Sequence, residues 1–271
     1  MQLRWIAVAL LALAQPTSGQ VLKSLTDRSD ILGWEAVGRL DLGDRGGTCS
    51  AALIAPQLVL TAAHCVFRDG ARINPTEITF HAGYRDGDTI ASVNAARAVV
   101  PQNFNPGTDD FGAFLQYDVA LLELEEAIPA TTASPYGVYG ARGEGTSVTV
   151  VSFGASRMNA ASWQSGCRIA AEFKYGLMAF DCEGEPGSSG APIFDMSGRA
   201  PRIVSVISSL GPYRGRPVVY GMSLPDRVSE LKSALRSGRG VWPSEVLPTA
   251  ERAAKAPGSA RTAGSARFLR P

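Results

Sequence analysis

The segment from Gly184 to Pro192 (GEPGSSGAP) sets two serines among small residues, with Gly187 before them and Gly190 directly after. Glycine there lets the chain turn sharply and point successive backbone N–H groups into one small space. Such a space suits the oxyanion of a tetrahedral acyl-transfer intermediate, with the Gly187 and Ser189 N–H groups as donors and Ser189 as the nucleophile. Ser188 is the immediate competitor for that last role. A serine attacks well only when a base takes its proton, and the chain has only 2 His.

His64 lies in Thr61–Cys65 (TAAHC), where a potential helix cap and a cysteine point to a single tight turn. An imidazole titrating near neutral pH can accept a hydroxyl proton and return it to a leaving group. His81, in FHAGY, has no comparable setting and reads as a surface or packing residue. The imidazole also needs an acceptor for its second nitrogen. Asp118 suits that role because it enters the apolar run Val119 to Leu122, where a carboxylate without a donor would be costly.

Turns and short strands must position these groups. The chain has 271 residues, 29 Gly and 17 Pro, with 45% hydrophobic and 19% charged residues, which describes a globular protein without long helices. Before the histidine, Trp34–Leu40, Cys49–Ile54 and Leu58–Leu60 read as strands; Glu77–Ala82, Ala91–Val100 and Asp118–Leu124 follow. Pro101 to Phe114 reads as a long surface loop, and residues 131–145 as the crossing between two halves. The second half repeats this alternation of strand and turn, with strands at Ser147–Phe153, Cys167–Glu172, Leu177–Asp181, Ala191–Phe194, Ile203–Leu210 and Val218–Met222. Serial short strands with glycine-rich turns favour an all-β barrel or sandwich. One helix is expected near the end, capped by Ser223 with Asp226 three positions on, with Val228, Leu231 and Leu235 on its apolar face.

Residues 1–19 resemble a secretory signal: one early positive charge, an apolar run from Trp5 to Leu13 too short for an ordinary membrane span, then small residues. Residues 20–238 form the expected folded domain, and residues 239–271 a basic, solvated tail rich in Ala, Pro and Gly. A net charge of +1 gives no case for nucleic acid, and no segment of the mature chain is expected to span a membrane. Export, to the outside or the periplasm, places the 4 Cys where two disulfides persist, with three pairings open.

Taken together, TAAHC, DVALLEL (Asp118–Leu124) and PGSSGAP, in that order along the chain, resemble the histidine, aspartate and serine segments of the trypsin-like (chymotrypsin-like) serine protease family. The resemblance spans roughly Trp34 to Arg236. It implies two six-stranded antiparallel β-barrels with a C-terminal helix and the catalytic groups between them. It implies a secreted serine endopeptidase working through His64, Asp118 and Ser189, with Gly187 and Ser189 forming the oxyanion hole and no cofactor or metal. Protein or peptide substrates, and protease inhibitors, are the implied partners. Cys49 is paired with Cys65 by the same resemblance, which leaves Cys167 for Cys182.

Where most of the family has Asp before the nucleophile, this chain has Ser188, which cannot pair with a newly freed N-terminal ammonium. PGSSGAP is closer to the bacterial glutamyl-endopeptidase-like branch. That branch uses a late histidine for acidic substrate residues, and Ile203–Met222 contains none. Glu183 stands at the offset of the family's acidic pocket base and implies a Lys or Arg preference; Val218 implies instead a shallow pocket for a small apolar residue. A second function is a protease-like binding or regulatory protein without catalysis.

Overall fold

The computed structural model describes residues 22–43 and 47–243, so the expected leader and the tail from residue 244 on lie outside the described residues. The first half contains β1 (Leu22–Ser24), β2 (Val37–Asp41), β3 (Thr48–Ala55), β4 (Leu58–Thr61), β5 (Phe67–Arg68), β6 (Ala71–Arg72), β7 (Thr79–Ala82), β8 (Ala91–Val99), α1 (Phe111–Tyr117) and β9 (Ala120–Leu124). In the second are β10 (Gly137–Val138), β11 (Ser147–Gly154), β12 (Arg157–Glu172), β13 (Leu177–Phe180), β14 (Pro192–Asp195), β15 (Arg202–Val206), β16 (Ser209–Tyr213), β17 (Arg216–Met222) and α2 (Pro225–Ser237).

The first half closes into a six-stranded barrel in the order β2-β3-β4-β9-β8-β7. Alternation explains its simplest strand: β7 turns Phe80 and Ala82 inward and leaves Thr79 and His81 half-exposed. β3 is buried on both faces, because one lines the barrel interior and the other meets β11 and β14 of the second half. The second half runs β10-β15-β14-β11-β12-β13-β17-β16, with β1 added beside β12. Of these pairs only β10 with β15 is parallel. β12 is 16 residues long and turns the sheet, pairing β11 along its front and β13 at its end. The predominantly β architecture expected above is therefore present, with a C-terminal helix, a closed first barrel and an open strand path in the second half.

Four local expectations need correction. The loop expected through Phe114 ends at Asp110, whose side chain accepts from the Ala113 N–H (3.0 Å) and starts α1. Seven residues containing a glycine show no helical period, so the cap was the only signal. Cys167–Glu172 is merely the end of β12, whose earlier polar residues and Gly166 hid the strand. Ile203–Leu210 is two strands, broken at Ile207-Ser208, where Ser208 leaves the sheet to meet Asp118. Ser223 does not cap α2; its N–H donates to the Gly176 carbonyl (2.8 Å), and Pro225 opens the helix with its preset φ.

α2 buries Val228, Leu231 and Leu235 as expected and ends at Gly238 in the left-handed conformation. Each of those side chains contributes about 1.5–3 kcal/mol relative to exposure. The first residues of the tail expected from residue 239 are packed against the domain. Val241 and Trp242 are buried; the indole Nε1–H donates to the Ile73 carbonyl (2.9 Å), and Trp242 exchanges backbone bonds with Ala98 of β8. Tertiary contact decided this, since two apolar residues in a Gly/Pro context carry no period of their own.

Candidate active site

His64 sits on a 3-10 turn, Ala63–Val66, that follows β4 directly. Cys65 in that turn is bonded to Cys49 of β3, tying the turn to the barrel. Asp118 is the junction residue between α1 and β9 and is fully buried. One of its oxygens accepts from the His64 backbone N–H and the other from His64 Nδ1, each at 2.8 Å. With a carboxylate as acceptor, Nδ1 carries the proton and Nε2 is left with its lone pair free. Ser208 Oγ donates to the same carboxylate, so the buried charge meets three donors. The Phe114 ring lies 6.1 Å from the imidazole.

Burial of His64 opposes its protonated form, but the Asp118 charge and hydrogen bond outweigh it, and the imidazole pKa is raised above its ordinary 6.5. A raised folded pKa stabilises the fold below the unfolded imidazole value, and that stabilisation is lost as pH rises through the folded one. Any reaction needing neutral His64 therefore fails, as pH falls, earlier than an ordinary histidine would dictate. We expect kcat/KM followed from about pH 5 to 9 to lose its acid side above the ordinary imidazole value. In Asp118→Asn the upward influences are gone and burial remains, so that side moves to lower pH; an unmoved profile would count against His64 as the titrating base.

Ser189 is half-buried, and its carbonyl accepts from the Ser50 N–H of β3 (2.8 Å). Gly190 fixes its approach to the histidine. At φ +76° only glycine is comfortable, and a Cβ there would lie 2.1 Å from Thr61 Oγ1, 2.4 Å from the Ser50 carbonyl and 2.9 Å from Ala62 N. The serine turn is thus pressed against the backbone that leads into His64. Its Gly190 N–H donates to the Ile207 carbonyl (2.7 Å), next to the Ser208 that holds Asp118. Among the described residues no hydrogen bond joins Ser189 Oγ to His64, so the fold sets the approach of the two segments rather than that bond. Ser188 is fully buried, with its hydroxyl accepting from the Glu185 N–H (3.3 Å).

The two expected oxyanion donors are oriented through the opposite ends of their peptides. A trans peptide points its C=O and N–H in opposite directions. The Pro186 carbonyl accepts from Ala155 N–H (2.7 Å) and the Ser188 carbonyl from Ala191 N–H (3.0 Å). The Gly187 and Ser189 N–H groups, on the far sides of those peptides, make no hydrogen bond among the described residues. Gly187 has φ +93°, and Ser50 Oγ donates to its carbonyl (2.9 Å).

Cys167 is bonded to Cys182. Glu183 and Val218, the two residues proposed to set the pocket, share one groove of ≈ 790 Å³ with Leu210 and Arg216. Glu183 is exposed and its N–H donates to Gln164 Oε1 (3.0 Å), whereas Val218 is buried. His81 lies on the barrel face, bonded to Ser92 Oγ (2.9 Å) and paired with Asp41 (3.2 Å). Cys49, His64 and Cys65 have the composition of a metal site, but their two sulfurs are bonded to each other and offer no thiolate. Sequence reasoning missed Ser208, Ser50 and Ala155; their contributions rest on contacts across the chain, and no local pattern marks them.

Residues 49–200 match the family described as trypsin-like peptidase domain. A glutamyl endopeptidase of Bacillus licheniformis is 29% identical over 155 residues, covering 56% of this chain and 46% of that one. The match thus spans about half the length of that relative. A solved Glu endopeptidase in complex with MPD superposes with a TM-score of 0.63 at 21% identity, over 79% of this chain and 95% of that chain. Protease Anisep from Arthrobacter nicotinovorans gives 0.61 at 18%, over 80% and 100%. An inactivated protease paralogue of the scabies mite gives 0.62 at 17%, over 82% and 98%. At these identities the structural likeness is one of fold.

Proposed function

The chain belongs to the trypsin-like peptidase family, and from that premise we propose that it is a secreted serine endopeptidase acting through Ser189, His64 and Asp118. The observation that carries the reading is the buried Asp118, bonded to both the backbone and the ring of His64, beside a serine turn that Gly190 brings against the His64 segment. Ser189 Oγ attacks the substrate carbonyl carbon while His64 Nε2 takes its proton. The Gly187 and Ser189 N–H groups donate to the oxyanion. His64 then protonates the departing amine, leaving an acyl-Ser189. Water then attacks the acyl carbon, giving a proton to His64; the bond to Ser189 Oγ breaks, His64 returns the proton to that oxygen, and the acid is released. Asp118 holds the tautomer and faces the imidazolium without taking the proton.

Export fits the leader-like residues 1–19 and both disulfides, and among the described residues no helix is long and apolar enough to cross a membrane. Substrates are proteins or peptides, with one side chain entering the groove beside Glu183 and Val218. The second reading is a silent, protease-like binding protein. It draws on the unformed Ser189–His64 bond and on the shared fold of an inactivated paralogue; the three reactive residue types present here speak against it.

A fluorophosphonate probe separates the two. We expect the mature protein to be labelled at Ser189, and His64→Ala to abolish labelling. A folded protein that stays unlabelled over hours would favour the silent reading.

A further inference from the structure

The oxyanion N–H of Gly187 is only as well placed as the Pro186–Gly187 peptide. That peptide turns over by rotation about Pro186 ψ and Gly187 φ, and glycine by itself offers little resistance. Turned over, it would aim the Pro186 carbonyl where the N–H should be. The Ala155 N–H, donating to that carbonyl at 2.7 Å, opposes the rotation. Ala155 lies in the turn between β11 and β12, and the turn is clasped to the serine loop a second time by Glu185. The Glu185 carboxylate accepts from Ser156 Oγ (2.8 and 2.9 Å) and from Arg157 Nε (2.8 Å). It rests on Gly154 so closely that a Cβ there would fall 1.9 Å from its Oε1. Glu185 is also fastened at its backbone, where its carbonyl accepts from Ser188 N–H (2.9 Å) and its N–H meets Ser188 Oγ. Burial pushes its pKa up, but the Ser156 and Arg157 bonds prevail and hold it below the ordinary carboxylate value, so the clasp is charged at neutral pH.

We propose that Ser156, Arg157 and Glu185 are positioning residues that lock the 154–157 turn onto the serine loop and thereby set the Pro186–Gly187 peptide with its N–H toward the oxyanion. The device is internal to residues 154–188. It rests on the peptidase reading above and adds to it a cause for the oxyanion geometry that Ser188, an uncharged residue, cannot supply by ion pairing.

Arg157→Met and Glu185→Gln test it in the full chain, with Arg157→Lys as the conservative control. Both disruptive variants keep roughly the side-chain length and so leave little cavity, but each strands the partner charge, which is why activity is read per titrated site beside thermal melting. Active-site titration counts competent Ser189, and kcat is expressed per titrated site. Loss of a whole oxyanion donor costs about 10²–10³ in kcat, so a loosened one is expected to cost about tenfold or more. KM should stay within about twofold, and Arg157→Lys should recover most of the loss. Affinity for a peptide aldehyde, whose adduct places an oxyanion there, should fall by the same factor as kcat. A lower melting temperature with unchanged kcat per titrated site and unchanged aldehyde affinity would overturn the proposal in favour of a purely structural clasp. A parent chain that is neither labelled nor active would overturn the peptidase reading, and this inference with it.

Discussion

Ser189→Ala is expected to lower kcat on the order of 10⁵- to 10⁶-fold while leaving the protein folded. The size follows from the chemistry: without the hydroxyl no acyl intermediate forms, and His64 has no proton to take. Residues that act as one unit fail together, so His64→Ala should cost a similar factor and the double variant scarcely more. What remains, about 10³-fold over water, is the contribution of substrate binding and the Gly187 and Ser189 N–H groups. Stability should change by only about 0.5 kcal/mol, because the Ser189 hydroxyl makes no hydrogen bond among the described residues. Steady-state turnover of a peptide ester, with thermal melting in parallel, gives both numbers. Retention of a tenth of the parent activity would place the nucleophile elsewhere. Ser188 is a poor substitute, being fully buried with its hydroxyl engaged by Glu185.

Asp118→Asn comes next in size, with an expected loss of about 10⁴-fold in kcat. The substitution keeps the shape and an acceptor oxygen, so the fold can persist. An amide that turns its NH₂ toward His64 Nδ1 drives the ring proton to Nε2, the atom that must be free to accept. The imidazolium that forms during attack also loses the charge facing it. Asp118→Ala is a less clean test, since it strands the His64 N–H, the His64 ring and the Ser208 hydroxyl. Each buried group left unpaired costs about 1–3 kcal/mol. An Asn variant within tenfold of the parent, with the imidazole tautomer unchanged by NMR, would remove Asp118 from the proposed mechanism.

Some of this was readable from the chain alone because the chemistry is local. His64 comes with the cysteine that pins its turn, Ser189 with the glycines that bend its loop, and Asp118 with the apolar run that buries it. The apolar face of α2 and the glycine ending it were equally plain, since helical period and a left-handed stop are properties of a few adjacent residues. α1 was not: one aspartate cap and seven residues are too short for periodicity, although that helix delivers Asp118.

Residue types in short windows thus determined by themselves which groups are the candidates for base, orienting acid and nucleophile, and which family's segments they resemble. Tertiary structure alone decided how they are held: Ser208 against Asp118 across 90 residues, Ser50 gripping the Gly187 carbonyl across 137, and Ala155 setting a peptide it adjoins only in space. The reason is physical. A reactive side chain announces itself by its own composition, whereas a hydrogen-bond partner can be any serine hydroxyl or backbone N–H that packing brings within about 3 Å.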